Sequence, residues 1–337
     1  MSIAVIVHSN RLTRRDHHRL LTRLEECHVR VYRTRFAGHA EQLARNAVRG
    51  GADTIVVVGG DGTVHQACRG IGSAPVRLAV IPRGTANDLA TTLELPQDID
   101  SACDAIIAGQ TRSVDVMYIN TIPCLTVAAV GLPVHAVRRT QGWLRNGPLA
   151  GLLRRVPGSV YVVGLIATLL RDHWPAIPAR IQTDDSCVEL RLSSLVVGKL
   201  PIFGRYFRPL PQAQPDDGLV HCCWFDSAAP PWARLRSLWR SARGVHAGDV
   251  YVSTRSHRTV MLTLDKPAGL LVDGELYEPV RRMNVMVLPQ ALPIIVTYGG
   301  AQLEEDAYLF ATAEVRQTQP DVDLERNPGG ITPSRVA

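Results

Sequence analysis

Two short stretches, Thr54–Ala67 (TIVVVGGDGTVHQA) and Leu78–Ala90 (LAVIPRGTANDLA), constrain this 337-residue chain more than anything else in it. Ile55–Val58 is a short apolar, β-branched run, which reads as a buried strand of a parallel sheet. It empties into Gly59–Gly60–Asp61–Gly62–Thr63, and a helix is expected from about Val64. Three glycines in four residues let the backbone turn sharply and bring its N–H groups close to a ligand. A phosphate placed there would meet free amides and the positive end of a helix dipole. Asp61 would repel that phosphate unless a cation or a proton donor stood between them, which points to magnesium–nucleotide chemistry. The second stretch repeats the design: Leu78–Ile81 as strand, Pro82–Arg83–Gly84–Thr85 as turn, Asn87–Asp88 ahead of a helix. Both loops would lie at the carboxyl edge of one sheet, where open α/β folds bind ligands. Either loop alone is also what an ordinary glycine-rich turn looks like. The pair is far more specific.

With both in place the chain resembles the diacylglycerol kinase and sphingosine kinase-like lipid kinases, whose first domain carries GGDGT and then P-x-G-T-x-N-D. The resemblance implies an α/β N-terminal domain with a parallel sheet (NAD kinase/diacylglycerol kinase-like) and a C-terminal β-sandwich domain that admits the lipid, with the active site between them. It implies ATP contacts at Gly59, Gly60, Asp61, Gly62, Thr63, Gly84 and Thr85, with Asn87 and Asp88 ordering the second loop and within reach of the nucleotide. Asn10 and Thr34 match two further positions of the ATP site. The family's Asn-Pro-x-(Ser/Thr)-Gly-like loop after the first strand reads His8–Thr13 (HSNRLT) here, keeping Asn10 but neither Pro nor Gly. Gln66 stands where the family has Glu, beside His65 at an Asn/His position; a neutral amide cannot act as a base, so Gln66 is given no catalytic part.

Taken in order, Ile3–Val7 and Val29–Tyr32 read as strands, and Arg14–Glu26, His39–Arg49 and Asp98–Ala108 as helices. Strands alternating with helices give a parallel, helix-covered sheet. After Gly109 the pattern changes to short β-type runs: Val114–Val116, Leu125–Val130, Arg180–Gln182, Cys187–Val197, Val220–Phe225, Thr259–Leu264, Leu270–Val272 and Met283–Leu288. Helices are expected near Leu149–Leu170 and Pro231–Ala242. The implied division is 1–113 for the nucleotide domain and 114–290 for the β-sandwich. Residues 291–316 would pack back on the first domain, and 317–337, rich in Pro, Asp and Gly, read as a disordered tail.

Two motifs of the second half carry chemistry. Gln214–Leu219 (QPDDGL) matches a family loop that holds a structural magnesium, which implies Asp217 and the carbonyls of Gln214 and Leu219 as oxygen ligands. The plain alternative is an Asx-type turn. Leu271–Glu275 (LVDGE) matches the family's V-D-G-E; an isolated Asp-Gly is most often a hairpin turn. The resemblance makes Asp273 the general base for transfer of a γ-phosphoryl group to an alcohol, with Glu275 orienting it or helping to hold magnesium. Asp61 shares the metal network, and Asp115 matches another carboxylate of it.

A net charge of +6 and a pI of 9.1 suit anionic partners such as ATP or acidic lipid headgroups. The arginines are spread along the chain, with no block that argues for nucleic acid. Seven cysteines without a C-x-x-C pair argue for reduced thiols. Cys222 and Cys223 are expected on opposite faces of one strand. The five tryptophans read as core or interface anchors. Arg138–Arg155 reads as a solvated basic loop or, alternatively, as a contact with an anionic membrane surface. No segment has the length of a membrane span or of an export signal. These readings describe a cytoplasmic ATP- and magnesium-dependent lipid kinase, peripheral at the inner membrane surface, acting on a diacylglycerol-like or sphingoid-like lipid. A homodimer is left open. The alternatives are an NAD kinase-like enzyme and a non-catalytic nucleotide- or lipid-binding regulator.

Overall fold

The computed structural model describes residues 1–9, 11–146, 164, 167–168 and 176–297. Asn10, most of the helix expected at Leu149–Leu170, most of the basic stretch beyond Asn146, Trp174 and everything from residue 298 lie outside the described residues. The first half runs β1 (Ser2–Val7), α1 (Arg14–Arg23), β2 (His28–Arg33), α2 (His39–Arg49), β3 (Thr54–Gly59), α3 (Asp61–Ile71), β4 (Arg77–Pro82), α4 (Asp88–Thr92) and α5 (Ile99–Ala108). The second runs β5 (Thr111–Ile119), β6 (Ile122–Cys124), β7 (Val127–Gly131), α6 (Leu132–Asn146), β8 (Ile177–Thr183), β9 (Cys187–Gly198) and β10 (Val220–Asp226). It continues with α7 (Pro231–Arg243), β11 (Val252–His257), β12 (Thr259–Val272) and β13 (Glu275–Ile295).

In the first half the order β2–β1–β3–β4 is parallel throughout. Every residue of β3 is buried, as expected for a central strand covered by helices on both faces. One face packs on α1 and α5 through Leu20, Ile99, Cys103 and Ile106. Thr13 caps α1 by accepting from the Asp16 amide, and Asp98 caps α5 by accepting from the Ser101 amide.

The second half is antiparallel. β7, β10 and the second half of β9, from Leu192 on, alternate between two cores, so nearly all side chains there are buried. Ala128, Val130, Leu195, Val197, Cys222 and Trp224 fill one core. Val127, Ala129, Val196, Cys223 and Phe225 fill the other, against Val134 and Val137 of α6. Cys222 and Cys223 thus face opposite ways, and all seven cysteines are free. An α/β first half and a β-rich, sandwich-like second half are what the sequence led one to expect.

The strands differ in detail. Leu270–Val272 is the far end of β12, joined to Thr259–Leu264 through bulges around Ala268. β13 pairs with β12 through Met286 and β5 through Ile295, and Ile294 lies in parallel register with Leu78 of β4. One strand therefore belongs to both halves. β6 and β11 have no counterpart in the sequence reading.

Candidate active site

β3 and β4 end level, with Gly59 opposite Pro82, and the Arg83 amide donates to the Gly59 carbonyl at 2.7 Å. Their loops touch through glycines. A Cβ on Gly60 would lie 2.7 Å from the Gly84 Cα, and one on Gly84 would lie 2.4 Å from the Gly60 Cα. No larger residue fits at either place without separating the strands. Asn87 fastens the second loop, accepting from the Gly84 amide at 2.8 Å. The first turn of α3 carries no side-chain cap. An uncapped helix start beside a glycine loop offers N–H groups to an anion.

These loops open onto a cavity of about 410 Å³. Gly60, Asp61, Gly62, Thr63, Arg83, Gly84, Thr85, Asp88, Arg11 and His8 line its polar end, together with Asp273 and Glu275 from the second half. Its other walls are apolar: Leu132, Ala136, Val137, Val196, Phe203, Phe207, Phe225 and Leu238. Thr34 lies in an adjoining cavity that shares His8, Thr63 and Gln66 with the first, where its hydroxyl accepts from the Ser9 amide at 3.0 Å.

Two expected nucleotide contacts fall outside the lining. Gly59 ends β3, and a Cβ there would strike the Thr63 side chain at 2.8 Å, so its smallness serves packing. Asn87 faces its own loop.

Asp273 and Gly274, at φ 47° and 83°, make the two-residue turn between β12 and β13. The hairpin reading and the site reading are thus both true of Asp-Gly. The Asp273 carboxylate is fully engaged. Oδ1 accepts from the Thr126 amide at 2.8 Å, the Thr126 hydroxyl at 2.7 Å and the Cys124 thiol at 3.1 Å. Oδ2 accepts from the Leu125 amide at 3.0 Å and from His65 Nδ1 at 2.8 Å. Burial alone would raise its proton affinity; His65, the Leu125 amide and Thr126 outweigh that and hold the carboxyl below the usual range. Burial likewise works against charge on His65, but the bond to Asp273 prevails and raises its proton affinity. His65 Nε2 shares a 2.7 Å hydrogen bond with the Tyr277 hydroxyl. Gln66 donates to Glu275 Oε1 at 2.8 Å and accepts from the Gly38 amide at 3.2 Å, so it positions the carboxylate instead of competing with it.

The remaining acids are less well matched. Burial and the neighbouring Asp273 charge raise the pKa of Asp61, although the Leu89 amide donates to it at 3.4 Å. Burial and the Asp61 charge push Asp88 up to about 7, despite hydrogen bonds from the Gly204 and Arg205 amides at 2.7 and 2.9 Å. Carboxylates that repel one another beside a phosphate-shaped loop invite a cation.

The oxygens expected to hold a structural magnesium are already taken. Lys199 Nζ lies 2.7 Å from Asp115 Oδ2, 2.5 Å from Asp217 Oδ1 and 2.7 Å from the Leu219 carbonyl. Three donors meet three acceptors, with Lys199 and Asp115 almost wholly buried. His221 Nε2 lies 2.7 Å from the other Asp217 oxygen, and Asp115 also accepts from the Gly218 and Gln290 amides. The metal reading of Asp217, Leu219 and Asp115 is therefore corrected: an ammonium occupies the position, and these three residues and Gln214 stand away from the cavity lining. Among the described residues no cluster of three or more His, Cys, Asp or Glu side chains is arranged to hold a metal ion.

Sequence reasoning gave His65 no role and passed over Lys199. His65 meets a partner 208 positions away, which no local pattern reveals. Lys199 had a signal: it is one of two lysines in an arginine-rich chain and sits in the apolar run LVVGKLPIF.

Residues 3–119 match the model of the diacylglycerol kinase catalytic domain, and residues 151–296 match that of the YegS C-terminal NAD kinase beta sandwich-like domain. A protein of Staphylococcus epidermidis named diacylglycerol kinase is 28% identical over 253 residues, spanning 73% of this chain and 75% of its own. One of Staphylococcus aureus with the same name is 29% identical over the same shares. Two solved chains from Bacillus anthracis str. Sterne align with TM-scores of 0.71 and 0.65, at 20% and 18% identity. They cover 89% of this chain and 96% and 97% of theirs. At such identity the structural likeness speaks for the fold.

Proposed function

Because this chain belongs to the diacylglycerol kinase catalytic domain family, with a YegS-like C-terminal domain, we propose that it transfers the γ-phosphate of ATP to a hydroxyl of a diacylglycerol-like or sphingoid-like lipid at a membrane surface. The observation that carries this reading is the cavity's polarity. Glycine loops and carboxylates crowd one end, and the rest is walled by Leu132, Val137, Phe203, Phe207 and Phe225. A phosphate donor suits the first part and an alkyl chain the second. NAD, charged and hydroxylated between its two rings, has no alkyl chain for the apolar walls.

In this reading Gly60, Gly62, Thr63, Gly84 and Thr85 cradle the phosphates through backbone and hydroxyl groups. Asp61 and Glu275 are the carboxylates that would hold magnesium brought with the nucleotide, which would supply charge compensation for the transferring phosphate. Asp273 stays ionised, exchanges its weakest donor, the Cys124 thiol, for the lipid hydroxyl and takes that proton late. A loose phosphoryl-transfer transition state asks chiefly for such positioning. His65, fixed by Tyr277, keeps the carboxylate oriented.

The test is γ-phosphate label transfer to mixed-micelle lipid panels by wild type and Asp273→Asn. Label in one lipid class, reduced ~10²–10⁴-fold in the variant, is expected, with nucleotide binding retained as evidence of a folded protein. Label moving to NAD, or ATP bound with no lipid labelled, would overturn the lipid-kinase reading. Undiminished label in the variant would remove Asp273 alone.

A further inference from the structure

Helix α7 is built inside out. Toward the protein it buries Ala233, Ser237 and Ser241, each 2% exposed or less; toward solvent it presents Trp232, Leu235 and Trp239, at 65%, 64% and 58% exposure. The spacing of three and four residues puts all three on one stripe. An ordinary surface helix does the reverse, burying its large apolar side chains and leaving small polar ones outside. Trp232 and Trp239, read from sequence with the other tryptophans as core or interface anchors, are exposed here, whereas Trp224 is buried.

The stripe is set among cations. The thirteen residues of α7 include Arg234, Arg236, Arg240 and Arg243 and no acid. The Arg236 guanidinium stands 5.4 Å from the Trp232 ring centroid, and that of Arg243 stands 3.7 Å from the Trp239 ring. Beyond the left-handed cap at Gly244, Val245 and Val250 continue the apolar surface at 51% and 88% exposure. The same helix reaches the cavity: Leu238 and Ser241 belong to its wall.

From this we infer that α7 is the membrane-docking element, lying in the headgroup layer of an anionic bilayer with Trp232, Leu235 and Trp239 inserted. Indole rings favour that layer because one edge is apolar and the other donates a hydrogen bond. Arginines beside them meet anionic headgroups while their stems lie along the apolar boundary. Asp249 pairs with Arg236 at 3.7 Å and with Arg240 at 3.4 Å, and an exposed aromatic and basic face of this composition suits a lipid surface better than a folded partner, whose interface core would exclude so many charges. The inference rests on the lipid-kinase reading and sharpens it. The element that meets the bilayer is also a wall of the cavity, so an acceptor lipid passes from the membrane without crossing water.

The experiment uses the full chain with Trp232→Ser/Trp239→Ser and Arg236→Glu/Arg243→Glu; none of these four residues lines the cavity. Flotation with vesicles of phosphatidylglycerol and phosphatidylcholine, and with phosphatidylcholine alone, reads docking. Label transfer to a short-chain acceptor in solution reads chemistry. Wild type should float with the anionic vesicles. Both variants should lose roughly tenfold or more of that binding while labelling the soluble acceptor at the wild-type rate. Unchanged flotation in the tryptophan variant would overturn the inference. So would a wild-type dimer that ignores vesicles and becomes monomeric in that variant, since the stripe would then join two copies. Failure of the kinase reading shows separately, as no label in either acceptor whatever the flotation result.

Discussion

Two groups of buried carboxylates sit in this molecule, and they are balanced in opposite ways. Around Lys199, Asp115 and Asp217 are matched from within: each ammonium proton has an oxygen, and Asp217 keeps its charge easily. Burial opposes that charge, but Lys199, the Leu219 amide and His221 hold its carboxyl below the usual range. Around the glycine loops, Asp61 and Asp88 have amides but, among the described residues, no paired cation, and both are pushed toward the neutral form. The first group is complete as folded. The second is completed by whatever cation arrives with a ligand. A closed charge balance marks scaffold, and an open one marks the working site.

The comparison breaks most readily at Lys199. Lys199→Met leaves Asp115 and Asp217 buried without their cation, which should cost roughly 3–5 kcal/mol in denaturant unfolding. Magnesium or calcium should restore part of that loss in the variant and leave wild type unmoved. A wild-type midpoint that rises with magnesium in the absence of nucleotide would make the cage a metal site after all.

Asp88 gives a smaller effect that sharpens the other side. Its folded pKa of about 7 lies above the ordinary 3.8, so its contribution to stability is full below the ordinary value and is lost as pH rises through the folded one. The unfolding midpoint of wild type should therefore fall between about pH 4 and 7 relative to that of Asp88→Asn. Affinity for ATP without magnesium should weaken over the same range as the carboxylate charges, and magnesium should offset that loss. A flat difference between the two proteins would mean that Asp88 is already neutralised and the site is not open in the sense argued.

Gln66→Ala should do least. It frees Glu275 from one hydrogen bond, worth ~0.5–1.5 kcal/mol, and should appear as a modest rise in KM with little change in kcat. A collapse of kcat would instead show that the amide itself takes part.

What the sequence disclosed follows the range of the interactions. The strand–loop–helix units at Gly60 and Gly84 are local, so their place at the sheet edge was legible, as were Asp273 and Glu275 in one turn. β11 (VSTRSH) hid because an outer strand with few apolar residues has no alternation to read. β12 was split because Lys266–Pro267–Ala268–Gly269 looks like a break and is a bulged continuation. The magnesium loop was misread for a reason of the same kind: Asp-Asp-Gly shows the oxygens, while the lysine that fills them comes from the end of β9. The exposed tryptophans of α7 show the limit of residue type alone, since a helix's period tells which residues share a face but not which face turns inward.

β13 has a consequence for how the protein is made. Its last residues, Leu292–Ile295, pair with the start of β5, and Ile294 covers the outer edge of β4. During synthesis that edge stands bare while more than two hundred further residues are added, although the strands and helices around it are already present. A nascent chain would be most exposed to wrong pairing in that interval. The lobe that begins the sequence is thus finished by its last described strand, and the ribosome must deliver both halves before either sheet is whole.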